Sequence, residues 1–474
     1  MSALWQLAEL IAATGGRITG RPAEAVAGIS IDSRTLQPGE AFFAIRGDRL
    51  DGHDFVEKAV DAGAALAVVD AAWAAGQGRA ELPLLAVEDG PLAALERLAA
   101  QARARSSAAI AAITGSVGKT GTKEMLCAAL ADQGAVHAAV GSFNNHWGVP
   151  LSLARMPADA RFAILEIGMN HAGEIRPLTK MVRPHVAIIT TVEAVHTEFF
   201  ASVAEIAEAK AEIFEGLEPG GTAILNRDNR WFDLLSERAR SRAARIVSFG
   251  AHAEADMRLE EVQLEEDASR IQARLLGRFL ACRLGAPGRH LAMNSLAVIA
   301  AAEALGADLA RAAEALAGFR PPAGRGERFE LTAPGGRFVL IDESYNANPA
   351  SMRAALALLG QARPGPSGRR IAVLGDMLEL GRDAGRLHAE VLAPIEEAGA
   401  DLVFLAGPLM KSLWRALPEG RRGAYAVTAD RLGPILCEAV RAGDVVMVKA
   451  SAGTRLKPLV EEMRRRFAPE VHAA

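Results

Sequence analysis

Lys119 and Thr120 sit in a short glycine-rich string, Thr114-Gly115-Ser116-Val117-Gly118-Lys119-Thr120-Gly121, whose residue types suit the handling of phosphate. Glycines let backbone N–H groups approach phosphate oxygens, and a helix starting near Thr120 would turn its positive dipole end toward the same anion. Lys119 would neutralise the terminal phosphates of ATP, and the Thr120 hydroxyl would hold magnesium. The apolar run at 108–113 just before the string reads as a buried strand, and it is this strand–loop–helix context that turns a glycine-rich string into a phosphate site. The general pattern has a glycine five residues before the Gly-Lys pair; here that position is Ile113, so the loop is a compact variant.

Three further residues carry candidate chemistry. Glu166 ends an apolar run and would emerge at the carboxyl edge of a parallel sheet, where a carboxylate can ligate magnesium. His196 follows another strand at 186–191, on the same edge, although a lone histidine is more often a hydrogen-bonded loop residue than a ligand. Lys210 falls within the apolar stripe of a helix expected over 203–217. Either its ammonium snorkels to the edge of the core, or a lowered pKa lets it react with carbon dioxide and become an anionic metal ligand.

These residues need a scaffold, and the chain is long enough for three domains, since 474 residues exceed one ordinary core. Short apolar runs at 41–45 and 64–69, turn signals and a helix near 54–62 make a small α/β domain, set at 1–107. The central domain, 108–320, continues from the phosphate loop through strands at 162–167, 186–191 and 222–225 with helices between them, as in a parallel sheet. Two prolines and two glycines within 319–326 break any periodic pattern. The last domain, 321–474, alternates strands at 338–342, 370–374, 401–406 and 445–449 with helices, a Rossmann-like arrangement. The fold class is therefore α/β throughout.

Composition narrows the partners. Fifty-three basic against fifty-seven acidic residues give a net charge of -4, without the basic excess that draws a protein to nucleic acid or anionic lipid. Cys127, Cys282 and Cys437 are far apart and lack the spacing of a zinc site or disulfide framework, which suits a reducing cytoplasm. Residues 1–16 read as a short helix and not a signal peptide, and the apolar stretch 291–305 falls short of the ~20 residues that cross a bilayer. Small-molecule partners, no membrane insertion and a monomer are expected.

The string from Thr114 to Met125, together with Phe143-Asn144-Asn145-His146-Trp147-Gly148 and Glu166-Ile167-Gly168-Met169-Asn170, resembles the Mur ligase family of ATP-dependent peptidoglycan-precursor enzymes. The likeness extends in family order through Ala209-Lys210-Ala211-Glu212, Asn226-Arg227-Asp228-Asn229, His290-Leu291-Ala292-Met293-Asn294 and Gly324-Arg325-Gly326, nearly the whole chain. It implies that residues 114–121 bind ATP, that Thr120 and Glu166 hold one magnesium, and that His196 and a carbamylated Lys210 hold a second. It also implies that His290 and Asn294 approach the adenine, Arg325 and Asp342 reach ATP from the last domain, and Ser33, Arg34 and Arg46 face the UDP group. One departure is that the glycine the family usually has near Phe200 is missing, which leaves the loop after His196 undetermined.

Within the family, Asp342-Glu343-Ser344-Tyr345-Asn346-Ala347-Asn348-Pro349 and Gly375-Asp376-Met377-Leu378-Glu379-Leu380-Gly381 resemble the member that adds D-alanyl-D-alanine, and the Asp-Asn-Pro-Arg string of the diamino-acid-adding member is absent. Asn346 and Asn348 are the candidates for the dipeptide. The implied reaction moves the γ-phosphoryl of ATP to the terminal carboxylate of UDP-N-acetylmuramoyl-tripeptide; the amine of D-alanyl-D-alanine then attacks the acyl phosphate. Catalysis would be electrostatic, gathering two mutually repelling anions with Lys119 and magnesium. Closure of the last domain on ATP would keep water from the acyl phosphate. Alternatives are a Mur-type ligase adding a diamino acid or glutamate, and a P-loop switch ATPase.

Overall fold

The computed structural model describes residues 3–76, 81–275 and 277–468. Of the expected domain limits, residues 1–2 and 469–474 lie outside the described residues. Three large sheets organise the described residues, beside a two-stranded one formed by Trp5–Gln6 and Ala25–Val26. The first has five strands in the order Arg17–Thr19, Leu84–Val87, Leu66–Asp70, Glu40–Phe43, Gly28–Ser30, all parallel except the first, an antiparallel edge. Helix α1 (Pro91–Arg105) covers it, burying Ala94, Leu95, Leu98 and Ala102 at helical spacing. Each such leucine contributes roughly 1.5–3 kcal/mol by leaving water.

The central sheet has nine strands. Strand β1 (Ala109–Thr114), with six strands on one side of it and two on the other, leads through the glycine-rich loop into α2 (Lys119–Leu130). After α3 (Gly148–Ala154) come β2 (Phe162–Glu166) and β3 (Val186–Ile189), which flank β1 in parallel register. Their apolar runs are buried on both faces, as strands covered by helices on each side must be. Helix α4 (Val203–Ala211) packs on one face, and α5 (Arg289–Ala304) lies with α2 on the other.

The structure departs from the sequence reading in two places. The helix expected over 203–217 stops at Ala211 and tightens into a 3-10 turn, Glu212–Gly216. A side chain at Gly216 would collide with the Thr179 carbonyl, and the Glu212 carboxylate accepts from the N–H groups of Gly173 and Arg176, which draws the chain out of α-helical geometry. The central sheet also continues into Met257–Leu264, Ser269–Leu275 and Arg278–Leu284, the last two antiparallel, which the sequence reading missed. The signal was present: Ile271, Ala273 and Leu275 are buried while Arg270, Gln272 and Arg274 alternate outward.

The third sheet has six strands. Its edge, Glu327–Ala333, pairs antiparallel with β4 (Gly336–Glu343); the parallel strands include β5 (Arg370–Gly375) and β6 (Val445–Lys449), which is followed by α6 (Leu456–Arg466). Its two hydrophobic clusters contain no residue of the other sheets. The first two sheets, in contrast, share one cluster, since Leu151 and Ala154 of α3 pack beneath α1. Hydrogen bonds reinforce that joint: Trp5 Nε1 donates to Ala154 O (2.8 Å), and Arg103 donates to the carbonyls of Val182 (2.8 Å) and Arg183 (2.9 Å). No described helix is long and apolar enough to cross a membrane.

Candidate active site

The carboxyl ends of β1, β2 and β3 open into a cleft of ≈ 500 Å³ closed on its far side by the third sheet's loops. β1 runs into Gly115 (φ 147°) and α2 starts after Gly118 (φ 84°). A Cβ at Gly115 would collide with Thr190 Oγ1, and one at Gly118 would lie 2.6 Å from Asn294 Nδ2, so both positions require glycine. The loop is pinned before any ligand arrives. Ser116 Oγ accepts from Glu193 N (2.9 Å), and Thr190 Oγ1 donates to Val117 O (2.6 Å).

Lys119 donates its ammonium to Gly115 O at 2.8 Å, bending back over the loop. Burial in the cleft pushes its pKa below the ordinary lysine value, opposed by Glu166 and aided by Arg325. Beside it, Thr120 Oγ1 donates to Glu166 Oε2 (2.7 Å), while Asn144 Nδ2 donates to Glu166 Oε1 (2.7 Å). The carboxylate is thus held by a donor on each oxygen. Asn144 belongs to a loop whose backbone reaches the strand end as well, since its carbonyl accepts from Gly168 N.

His196 takes a left-handed backbone (φ 56°), which settles the loop whose glycine the chain lacks: the histidine itself makes the turn. Its Nδ1 lies 2.6 Å from Oε2 of Glu379, in the loop after β5, leaving Nε2 for a ligand in the cleft. Lys210 is 2% exposed and no ion pair or hydrogen bond holds its ammonium among the described residues. Burial, with Lys119 nearby, drives its pKa well below the ordinary lysine value. It does not itself line the cleft.

Ser116 to Gly121 line the cleft together with Glu166, His196, His290, Asn294 and Arg325. Thr114 and Gly115 do not; Thr114 lies buried beneath the loop. Asp342 is also absent from the lining: it is 4% exposed and its carboxylate accepts from Ser344 N (3.0 Å), while the neighbouring Glu343 faces the cleft. Arg325 stacks on Tyr345 (3.9 Å) and donates to Ser142 Oγ (3.3 Å), bridging two sheets. Asn346 and Asn348 line the cleft from the third domain, Asn348 using Oδ1 to cap the helix Pro349–Gln361 through Ser351 N (2.9 Å).

Ser33, Arg34 and Arg46 sit apart, on the first sheet's loops, and none lines the cleft. Arg34 is paired with Asp32 (2.6 Å), and Arg46 with Asp51 (2.9 Å) and Asp70 (3.7 Å). The two regions meet at Gly47, where a Cβ would come within 2.9 Å of the Trp147 ring, three residues beyond Asn144.

Three family models match the chain in order: "Mur ligase family, catalytic domain" at residues 25–103, "Mur ligase middle domain" at 113–302 and "Mur ligase, glutamate ligase domain" at 327–452. The chain is 32% identical to a UDP-N-acetylmuramoyl-tripeptide–D-alanyl-D-alanine ligase of Rickettsia prowazekii, covering 91% of this chain and 94% of that relative. The chain belongs to the Mur ligase family. A Synechocystis ligase of the same name is 36% identical, over 92% of this chain and 91% of its own length. A crystal structure of MurF from Acinetobacter baumannii superposes with a TM-score of 0.83 at 30% identity, covering 97% of this chain and 99% of that one.

The Mur ligase middle domain therefore carries Lys119, Thr120, Glu166, His196, Lys210, His290 and Asn294, while Arg325 lies just before the C-terminal match. Sequence reasoning had quoted Asn144 as part of a motif without giving it a role. Only the folded chain brings it to Glu166. Glu343, Tyr345 and Lys449 were also missed as lining residues. Lys449 is 2% exposed and donates to Glu343 Oε2 (3.2 Å) and Asn346 O (3.0 Å), so it fixes the loop that presents Asn346.

Proposed function

We propose that this protein is an ATP-dependent, ADP-forming ligase that joins D-alanyl-D-alanine to the terminal carboxylate of UDP-N-acetylmuramoyl-tripeptide. One observation carries the reading: the phosphate loop with its Thr120–Glu166 pair faces Asn346 and Asn348 across a single cleft between domains. Similarity over nine-tenths of the chain to ligases of that name supports the choice of acceptor. The division of labour assigns 1–107 to the UDP-sugar, 108–320 to ATP and 321–474 to the acceptor, all within one chain, so a monomer suffices.

The γ-phosphoryl leaves ADP and bonds to the tripeptide carboxylate; the dipeptide amine then attacks the acyl carbon and loses a proton, and phosphate departs with its bonding electrons and is protonated to hydrogen phosphate. Loop N–H groups and the start of α2 receive the triphosphate, and Lys119 moves from the Gly115 carbonyl to the terminal phosphate. His290 and Asn294 of α5 face the nucleoside end, and Arg325 reaches in from the third domain. Ser33, Arg34 and Arg46 bind the UDP group, the two arginines exchanging their aspartate partners for phosphate, whereas the inward-turned Asp342 shapes its loop through Ser344.

Thr120 and Glu166 suit magnesium, because a hydroxyl and a carboxylate already within hydrogen-bond distance are hard oxygen donors. Among the described residues no three His, Cys, Asp or Glu side chains converge, which fits an ion completed by phosphate oxygens and water more than a dedicated cage. His196 through Nε2 and a carbamylated Lys210 would hold a second ion. Carbon dioxide adding to the buried Lys210 amine would release a proton and leave a carbamate anion on a side chain that has no other partner among the described residues. Bound magnesium would offset the charge of the phosphates as they meet the carboxylate.

The test is phosphate release from ATP with UDP-muramoyl tripeptide, with and without D-alanyl-D-alanine. Turnover is expected only with all three. Release that ignores the dipeptide, or that diaminopimelate or glutamate supports equally, would overturn the assignment.

A further inference from the structure

A second recess opens off the phosphate cleft, sharing Ser116, Lys119, His196, Asn346 and Asn348 with it. Its wall is built at the carboxyl ends of three neighbouring parallel strands: β4 leads to Ser344, β5 to Leu378 and Leu380, and β6 to Ser451. Ser451 Oγ ties these ends together, accepting from Leu378 N (3.0 Å) and donating to Ala347 O (3.1 Å). Arg455 and Lys457, at the start of α6, also line it, as does Glu379, whose carboxylate is paired with His196 at 2.6 Å.

Two polar groups of this recess are left without a partner among the described residues. Ser344 is 3% exposed, yet its hydroxyl has no hydrogen-bond partner among the described residues. Buried polar atoms in native proteins are rarely left so. Arg455 holds a left-handed backbone (φ 59°), which a residue with a side chain enters at a cost. Its guanidinium makes no hydrogen bond or ion pair among the described residues, and Lys457 reaches only Glu461, at 3.9 Å. A planar guanidinium matches a carboxylate with two parallel hydrogen bonds.

We propose that Arg455, with Lys457 adding charge, binds the terminal carboxylate of the acceptor dipeptide in this recess. Leu378 and Leu380 then flank its small methyl side chains, and the amino end points to where the two cavities join, beside Ser116 and Lys119. The assignment rests on the acceptor of the proposed reaction being a short peptide with a free carboxylate.

Steady-state phosphate release with ATP and UDP-muramoyl tripeptide, comparing D-alanyl-D-alanine with its C-terminal amide, tests it. Arg455→Gly suits the backbone, because glycine adopts φ 59° freely, so its melting temperature should not fall. Its KM for D-alanyl-D-alanine should rise roughly 10- to 100-fold, the loss expected of a charge-assisted hydrogen bond. The KM values for ATP and the tripeptide substrate should hold, the preference for acid over amide should vanish, and Arg455→Lys should restore part of it. An unchanged dipeptide KM, or a rise that falls on the UDP-tripeptide instead, would overturn the assignment. Wild-type enzyme releasing no phosphate in response to the dipeptide would instead refute the function itself, before any variant is made.

Discussion

Lys119 resting on the Gly115 carbonyl is a cation with only a weak partner, close to where two anions must be brought together. Replacing it with alanine removes one electrostatic contact to the transferring phosphoryl, so kcat should fall roughly 10²- to 10³-fold. The melting temperature should barely change, because a single hydrogen bond to a loop carbonyl contributes little; calorimetry and phosphate release together check this. A K119A enzyme of near-normal rate would remove the loop from the mechanism. Asp51 offers a separate test in the first domain. Burial raises its carboxyl, but hydrogen bonds from His53 N, the His53 ring and Arg46 outweigh that and bring its pKa to about 2. The folded value lies below the unfolded one, so the stabilisation is complete above about pH 4 and lost as pH falls toward 2; its size is about 2 kcal/mol. Asp51→Asn should therefore destabilise at neutral pH, and its difference from wild type in denaturant titrations should shrink across that window.

Helix α2 positions more than the phosphate loop. Lys123, on its inner side and fully buried, donates to Ala139 O (2.6 Å) and Gly141 O (3.0 Å) and pairs with Glu124 (2.8 Å). The carbonyls it holds begin the loop that carries Ser142, the partner of Arg325, and Asn144, the partner of Glu166. One helix thus fixes both Thr120 and the group that aims the carboxylate at it. Lys123→Met would leave two carbonyls without their donor, at a cost of about 1–3 kcal/mol each. Activity should drop roughly 10- to 100-fold, as for other residues that orient a ligand-holding side chain, with Lys123→Arg intermediate. Wild-type kcat and melting in the methionine variant would show the contact to be idle.

The three sheets are joined unequally. The first two share a hydrophobic cluster and several buried hydrogen bonds, so they should move as one unit. The third keeps its own cores and meets the rest through polar contacts, including Arg325–Ser142, His196–Glu379 and Arg328 donating to Glu266 O (2.6 Å). Such contacts exchange readily for water, and in the proposed closure the proline- and glycine-bearing segment 319–326 would serve as the hinge. Solution scattering should show a larger radius of gyration without nucleotide than with ATP analogue and UDP-tripeptide bound. A radius indifferent to both ligands would mean that the domains are locked and that water is kept from the acyl phosphate in some other way.

What the chain alone determined was local. An apolar run, then two glycines and Lys119, then a helical pattern specify a phosphate loop, because backbone conformation and helix initiation depend on neighbours in sequence. The buried parallel strands were legible for the same reason, as were the α/β class and the break at 319–326. Partnerships were not. Asn144 reaching Glu166, Lys123 holding the loop between them, Asp342 turning inward, and Arg34 and Arg46 closing on aspartates depend on which faces meet, and packing between distant segments decides that. The alternating strand Ser269–Leu275 is the instructive middle case: its period was readable, but its place at the edge of the central sheet came only from the surface it had to cover.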